Sequence, residues 1–366
     1  MSFCYSPWTN VDLSPTGYAS PCCKFQGPTP VYSTLDEYAS SKFLEDIKQD
    51  FKNGDWPDGC IRCKTEEQNN IESKRQLDYQ RWEHHYESYD LECNQFITAS
   101  IAFGNTCNLK CITCSPTSSS KWHKEHNQIY GTDVQPVKFF KQNFVSEFIK
   151  HAPAIMHLDI PGGEPFLSGI REQKELLTHY VESGQASNMT IHYTTNATIL
   201  PGQEWWDLWS YFKEVEIQLS IDGIGSRYEY IRFPGNWEQV STNIAEYIRR
   251  QSQVRLSVSH TVSAYNIYYL DEFFSWCYNQ KLPKPWLGKV NTPAHMRPTV
   301  WSNDAKQFII GHLQSSTNQD VQNWANLLIN TDDSNMFNTF KQRCQEHDQY
   351  RKLDFKNVFP ELAPYI

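Results

Sequence analysis

Between about residues 93 and 300 the chain alternates short β-rich apolar runs with longer stretches whose apolar positions recur every three to four residues. Runs of the first kind suit strands and those of the second kind amphipathic helices, so the alternation predicts repeated βα units on a parallel sheet. Strands are predicted at Ile97–Phe103, Met156–Ile160, Thr190–Thr195, Val215–Ile221, Arg255–Val262 and Trp286–Val290. Helices are predicted at Val137–His151, Ile170–Ser183, Glu204–Tyr211, Trp237–Gln251 and Ile267–Asn279. Six strands with intervening helices predict a partial barrel rather than a closed eight-stranded one. The flanks differ. Residues 1–92 are rich in turns, prolines and cysteines, with helical character over Leu35–Lys52 and a polar helical run after Thr65. Residues 301–366 read as helical.

Composition adds bounds. The 366 residues, 39% hydrophobic and 14% aromatic, suffice for a large core and a smaller attached module. A net charge of −9 argues against a nucleic-acid partner, which normally calls for a basic surface. No apolar run reaches the roughly 18 residues of a membrane span. The opening MSFCYSPWTN lacks the basic and apolar regions of a secretory signal. The expectation is a cytoplasmic chain without a membrane partner. Its eleven cysteines are odd in number and grouped, which in a reducing compartment points to metal ligands before disulfides.

The tightest group is Cys107-Asn108-Leu109-Lys110-Cys111-Ile112-Thr113-Cys114, three thiols within eight residues directly after a predicted strand. Such a loop can wrap one small inorganic cluster. It supplies three thiolates where an ordinary [4Fe–4S] cluster takes four, which leaves one iron open to a reactant. A zinc site completed by a distant Cys or His is the alternative.

This loop resembles the signature of the radical S-adenosylmethionine (SAM) superfamily, and the likeness extends over roughly residues 97–300. The resemblance implies a partial (β/α)6 TIM-like barrel of the radical SAM type, with a small cysteine-rich auxiliary-cluster module and a helical C-terminal region. It also implies that Cys107, Cys111 and Cys114 are the catalytic cluster ligands. The open iron would chelate SAM, and one electron would split SAM to methionine and a 5′-deoxyadenosyl radical that abstracts a substrate hydrogen atom. Thr113 stands where the family usually has an aromatic residue, so no aromatic adenine contact is carried over there.

Ligand sites of barrel enzymes collect at the C-terminal ends of strands, and polar and glycine motifs recur there. Pro161-Gly162-Gly163-Glu164-Pro165 follows the second strand. Gly162 and Gly163 allow close backbone approach, and Glu164 can accept a hydrogen bond from an ammonium group. The run otherwise reads as an ordinary strand–helix turn, but it resembles the family motif associated with the SAM amino group. Thr194-Thr195-Asn196-Ala197 follows the third strand and resembles the family's TNG turn, with Ala197 in place of glycine predicting a less tight turn. Ser220-Ile221-Asp222-Gly223 follows the fourth. Ser220 is a candidate ribose or carboxylate contact, and Asp222 either contacts SAM or caps the following turn. Tyr230-Ile231-Arg232 resembles the segment whose arginine pairs with the SAM carboxylate, a task suited to a forked guanidinium. His260 reads as a satisfied core histidine.

A second group lies near the N-terminus. Cys4, Gly17 and Cys22 form C-x12-G-x4-C, and Cys60 with Cys63 forms C-x2-C. Four thiolates can serve one metal centre, and zinc is an alternative here too. The pattern resembles the twitch module of radical SAM enzymes, a shortened SPASM module, whose cysteines bind an auxiliary [4Fe–4S] cluster. That module usually follows the barrel, whereas here it precedes it. Cys23 adjoins Cys22 and is an alternative ligand. Cys93, Cys277 and Cys344 read as ordinary thiols.

The expected division is therefore an auxiliary module at 1–92, a radical SAM core at 93–300 and a helical extension at 301–366. The resemblance implies peptide or protein modification first, and dehydrogenation or rearrangement of a small sugar or nucleotide metabolite second. It further implies an electron donor such as flavodoxin or ferredoxin. A non-catalytic iron–sulfur or zinc protein is the rival from another class.

Overall fold

The structure, a computed structural model, describes residues 3–14, 18–32, 34–68, 72–87, 89–93, 95–135 and 144–366. The fold is mixed α/β, with an eight-stranded, mostly parallel sheet and a helical C-terminal region. Its strands are β1 (Asn10–Leu13), β2 (Ala19–Ser20), β3 (Thr98–Ile101), β4 (His157–Ile160), β5 (Thr190–Thr195), β6 (Glu214–Ser220), β7 (Arg255–Val262) and β8 (Trp286–Lys289). The six predicted strands are β3 to β8. β1 and β2 are additions within a segment read as turns. The predicted helix over 137–151 is found at Phe144–His151, and its first part lies outside the described residues. The predicted Ile267–Asn279 helix begins with a 3-10 turn at Ile267–Tyr269 and continues as an α-helix over Leu270–Asn279.

The chain forms two compact units. The first comprises residues 1–105, 137–193 and 203–215. Here β2 pairs antiparallel with β1, while β1, β3, β4 and β5 are parallel neighbours. Val11, Ile101, Leu158, Ile160, Ile191 and Tyr193 are buried on alternate positions. The intervening positions carry polar residues in register: Asp12 faces Ser100, Ser100 faces Asp159, and Asp159 faces His192. Helix Lys42–Lys52 starts at Ser41, whose hydroxyl accepts the Leu44 N–H, and its three-to-four spacing buries Leu44, Ile47 and Phe51. Ile47 and Phe51 pack with Trp8.

The second unit comprises residues 106–136, 194–202 and 216–366 and carries β6, β7 and β8 as parallel neighbours. Its core joins Tyr230, Tyr265 and Trp301 to Ile309, Leu313 and Phe340. The last three lie on helices Asn303–Gln314 and Phe337–Arg351. Among the described residues, no helix is long and apolar enough to cross a membrane.

Candidate functional site

The cysteine loop 107–114 has no regular structure, and its shape comes from its neighbours in the second unit. Lys110 N–H donates to Phe233 O at 2.7 Å and Ile112 N–H to Ile231 O at 2.8 Å. Trp122 Nε1 donates to Cys111 O at 2.9 Å, and the Ser119 hydroxyl to Leu109 O at 2.5 Å. Burial pushes the Cys111 thiol well above its usual range and Cys114 up to about 11, and the charge of Arg232 draws both back. Three soft donors on a pinned loop beside a cation form a donor set suited to an iron–sulfur cluster. Among the described residues, no group of three His, Cys, Asp or Glu side chains is set to hold a single metal ion.

Several residues singled out at strand ends gather in this unit. Arg232 pairs with Asp222 at 2.8 Å, and the other Asp222 oxygen accepts the Thr261 N–H at 2.8 Å. Asp222 therefore orients Arg232 as well as fixing the β7 backbone. Arg232 is buried, and its Nε meets no hydrogen-bond partner among the described residues. Asn196 donates to Cys107 Sγ at 3.7 Å and to Asn108 Oδ1 at 3.1 Å, tying the turn after β5 to the cysteine loop. The Thr195 hydroxyl accepts the Ala197 N–H at 3.1 Å. Ala197 has φ +59°, so the turn keeps the left-handed conformation that a glycine would take, with Asn243 donating to its carbonyl at 2.9 Å. Ser220 is half-buried, 3.4 Å from the Ser259 hydroxyl. His260 is buried and its Nδ1 lies 2.8 Å from Ile221 O. Burial holds its pKa down at about 4, which fits a neutral core histidine.

The glycine–glutamate turn belongs to the first unit. Gly162 has φ +88°, and a Cβ there would come within 2.5 Å of the Ala102 Cβ. The turn brings Glu164 to full burial, where its Oε1 accepts the Phe166 N–H at 3.3 Å.

Also in the first unit, Cys4, Cys22, Cys60 and Cys63 line one cavity with an empty volume of about 340 Å³, open space included. Cys23 is exposed and does not line it, and Gly17 lies outside the described residues. Cys60 closes the turn Asp58–Cys60 and Cys63 lies on helix Ile61–Gln68. Gln26 N–H donates to Gly59 O at 2.8 Å, and the Phe25 ring packs against Gly59 so closely that a Cβ there would meet it at 2.2 Å. Burial raises Cys4 and Cys22 and pushes Cys60 up to about 12. Lys24, Lys74, Arg75 and Asp78 line the same cavity, with Lys74 paired to Asp78 and Arg75 to Glu67, each at 2.6 Å. The donor set fits a four-thiolate cluster.

The polar row across β1, β3, β4 and β5 went unread in the sequence. Asp159 Oδ1 lies 2.7 Å from His192 Nδ1 and 3.2 Å from His157 Nε2. Burial opposes ionisation of Asp159, but these two hydrogen bonds prevail and hold it well below the usual carboxylate range. Burial raises Asp12 to about 6. The signal was present: strands of parallel sheets covered on both faces read as continuous apolar runs, whereas His157-Leu158-Asp159-Ile160 alternates.

No family model matches the chain, and no curated relative was found at significant similarity. Solved structures do match. Native anSMEcpe with bound AdoMet is 16% identical, with a TM-score of 0.44 over 59% of this chain and 58% of that one. Streptococcus suis SuiB bound to S-adenosylmethionine is 14% identical, with a TM-score of 0.38 over 89% of this chain and 65% of that one. SuiB bound to precursor peptide SuiA is 12% identical, with a TM-score of 0.40 over 87% and 64%. The chain spans less than two thirds of the length of each. These likenesses concern backbone shape, at identities too low to carry an activity across.

Proposed function

We propose that this chain is a radical SAM enzyme. The observation that carries the reading is the loop of Cys107, Cys111 and Cys114, pinned by backbone hydrogen bonds beside the buried Arg232. When bound there, a [4Fe–4S] cluster would supply the electron that splits SAM to methionine and a 5′-deoxyadenosyl radical, which takes a hydrogen atom from substrate.

The protein's own residues do the rest. Cys107, Cys111 and Cys114 would hold a cluster with three thiolates, one fewer than an ordinary [4Fe–4S] cluster takes. Arg232 offers the SAM carboxylate a buried Nε that has no hydrogen-bond partner among the described residues, and Asp222 keeps its guanidinium oriented. Glu164 accepts from the SAM ammonium, with Gly162 and Gly163 shaping its turn. Thr195 and Asn196 shape the turn that bonds to Cys107, and Ser220 meets the ribose or the carboxylate. Cys4, Cys22, Cys60 and Cys63 would hold an auxiliary [4Fe–4S] cluster, which would supply an electron acceptor or a substrate-binding site. In this reading residues 1–92 are the auxiliary module, 93–300 the core and 301–366 a helical extension. The electron donor is a redox protein such as flavodoxin or ferredoxin.

The substrate class we assign is a peptide or protein segment, which follows the family resemblance. The test is to reconstitute the full chain anaerobically, reduce it and add SAM. Release of 5′-deoxyadenosine is the expected result. Iron-loaded protein that leaves SAM intact would overturn the reading and favour an electron-transfer or scaffold role.

A further inference from the structure

Glu125, on helix Trp122–Tyr130, is fully buried among basic side chains. Its Oε1 accepts from Arg351 Nε at 2.7 Å and lies 3.3 Å from His347 Nδ1, while its Oε2 lies 2.5 Å from Lys110 Nζ. Burial alone would raise this carboxyl, but the His347 hydrogen bond, the Arg351 charge and the Lys110 hydrogen bond hold it at about 2. Burial lowers the pKa of His347. The set therefore holds two cations and one anion. Arg351, at the C-terminal end of helix Phe337–Arg351, makes a second bond, from Nη2 to Lys110 O at 2.8 Å. Its guanidinium lies over the rings of Trp122 and Phe233, at 5.1 and 5.0 Å. Those two residues in turn bond the backbone of Cys111 and Lys110.

These ties converge on two adjacent loop residues, Lys110 and Cys111. Taking ions out of water costs several kcal/mol each, and apolar residues of the same volume often stabilise as well or better. Bulk stability is therefore a poor account of a buried network drawn from positions 226 residues apart in the chain. Control of the loop on which it ends is a better one.

We propose that Arg351 and Glu125 are positioning residues: they hold the cysteine loop in its cluster-binding shape and set the reduction potential of the cluster through the charge placed beside it. The proposal rests on the reading that this loop holds a [4Fe–4S] cluster.

The test uses the reconstituted full chain and follows the one cluster whose paramagnetic resonance signal changes on adding SAM. Glu125→Gln removes a buried negative charge at almost unchanged volume, so that cluster's potential should move to a more positive value. Arg351→Lys keeps the charge but loses the fork. The potential should then stay near wild type, while a chelator strips iron from this cluster severalfold faster. A potential that is unmoved or more negative in folded Glu125→Gln overturns the proposal, and so does wild-type iron loss in Arg351→Lys. Where Glu125→Gln fails to fold by circular dichroism, Arg351→Lys decides alone. Wild-type protein with no SAM-responsive signal would instead sink the cluster reading itself, and this proposal with it.

Discussion

Arg232 and Asp222 form a buried ion pair at 2.8 Å, ten residues apart in the chain. Asp222 is held from its other side by the Thr261 N–H, so the carboxylate is fixed and the guanidinium takes its direction from it. One nitrogen is thereby occupied while Nε faces no partner among the described residues.

The pair separates a structural role from a binding role. Asp222→Ala strands a buried cation, which typically costs about 3–5 kcal/mol, and should show as a large loss in urea unfolding. Arg232→Gln should weaken SAM binding about ten- to hundredfold, since a charged hydrogen bond contributes about 1.5–3 kcal/mol. Calorimetry on the cluster-loaded protein reads that affinity. Unchanged SAM affinity in Arg232→Gln would leave Arg232 as a partner of Asp222 only.

The two cysteine groups should separate by role. Reconstituted protein should carry about eight irons, four per cubane cluster. Cys111→Ala with Cys114→Ala should lose about four of them and all 5′-deoxyadenosine formation. Cys60→Ala with Cys63→Ala should lose the other group yet leave uncoupled SAM cleavage, while product formation stops. Metal binding often stabilises small cysteine-rich units, so circular dichroism must show that the second variant is folded. Four irons together with one zinc in the wild type would refute the auxiliary cluster and spare the loop cluster.

How far this could be read in advance depended on the reach of each signal. β7 was predicted at Arg255–Val262, the bounds it has; Leu256, Val258 and Val262 recur on alternate positions, with His260 the one polar residue in that series. The two cysteine groups were legible as local spacings, and the structure gathers the N-terminal four around one cavity. The Arg351–Glu125 pair was not legible, since its partners lie on helices far apart in sequence and carry no shared period. Asp222 was read as either a SAM contact or a cap, and only the fold brings Arg232 and Thr261 to it. The polar row was visible as alternation in β4, but which strand lies beside which is a matter of topology. Only that register aligns Asp12, Ser100, Asp159 and His192.

Asp12 gives a pH prediction of definite sign. Its folded pKa, about 6, lies above the ordinary 3.8, because burial disfavours the charge. The folded state then holds more proton between about pH 4 and 6, so stability falls as pH rises through that window. Asp12→Asn abolishes this term. It should raise the melting temperature at pH 7.5 and leave it nearly unchanged at pH 4. A gain of equal size at both pH values would assign the effect to packing rather than to charge.

Gly162 bears on Glu164, because its turn carries that side chain into the core. It sits at φ +88°, and an added Cβ would lie 2.5 Å from the Ala102 Cβ and 3.2 Å from the Gly104 carbonyl oxygen. Two penalties should add in Gly162→Ala. A left-handed conformation costs an L-residue about 1–2 kcal/mol. Overpacking against the buried Ala102 costs about 1–3 kcal/mol more. Ala102→Gly in the same chain removes the opposing methyl and leaves the backbone penalty. By itself that change should destabilise β3's exit by about 0.5–1 kcal/mol through added freedom of the unfolded chain. The double variant should nevertheless be more stable than Gly162→Ala alone, because the clash relieved exceeds the freedom added. Urea unfolding of the three variants reads the cycle directly. A double variant less stable than Gly162→Ala would mean that conformation alone demands glycine at 162, and that the contact with Ala102 yields by a small shift of the chain.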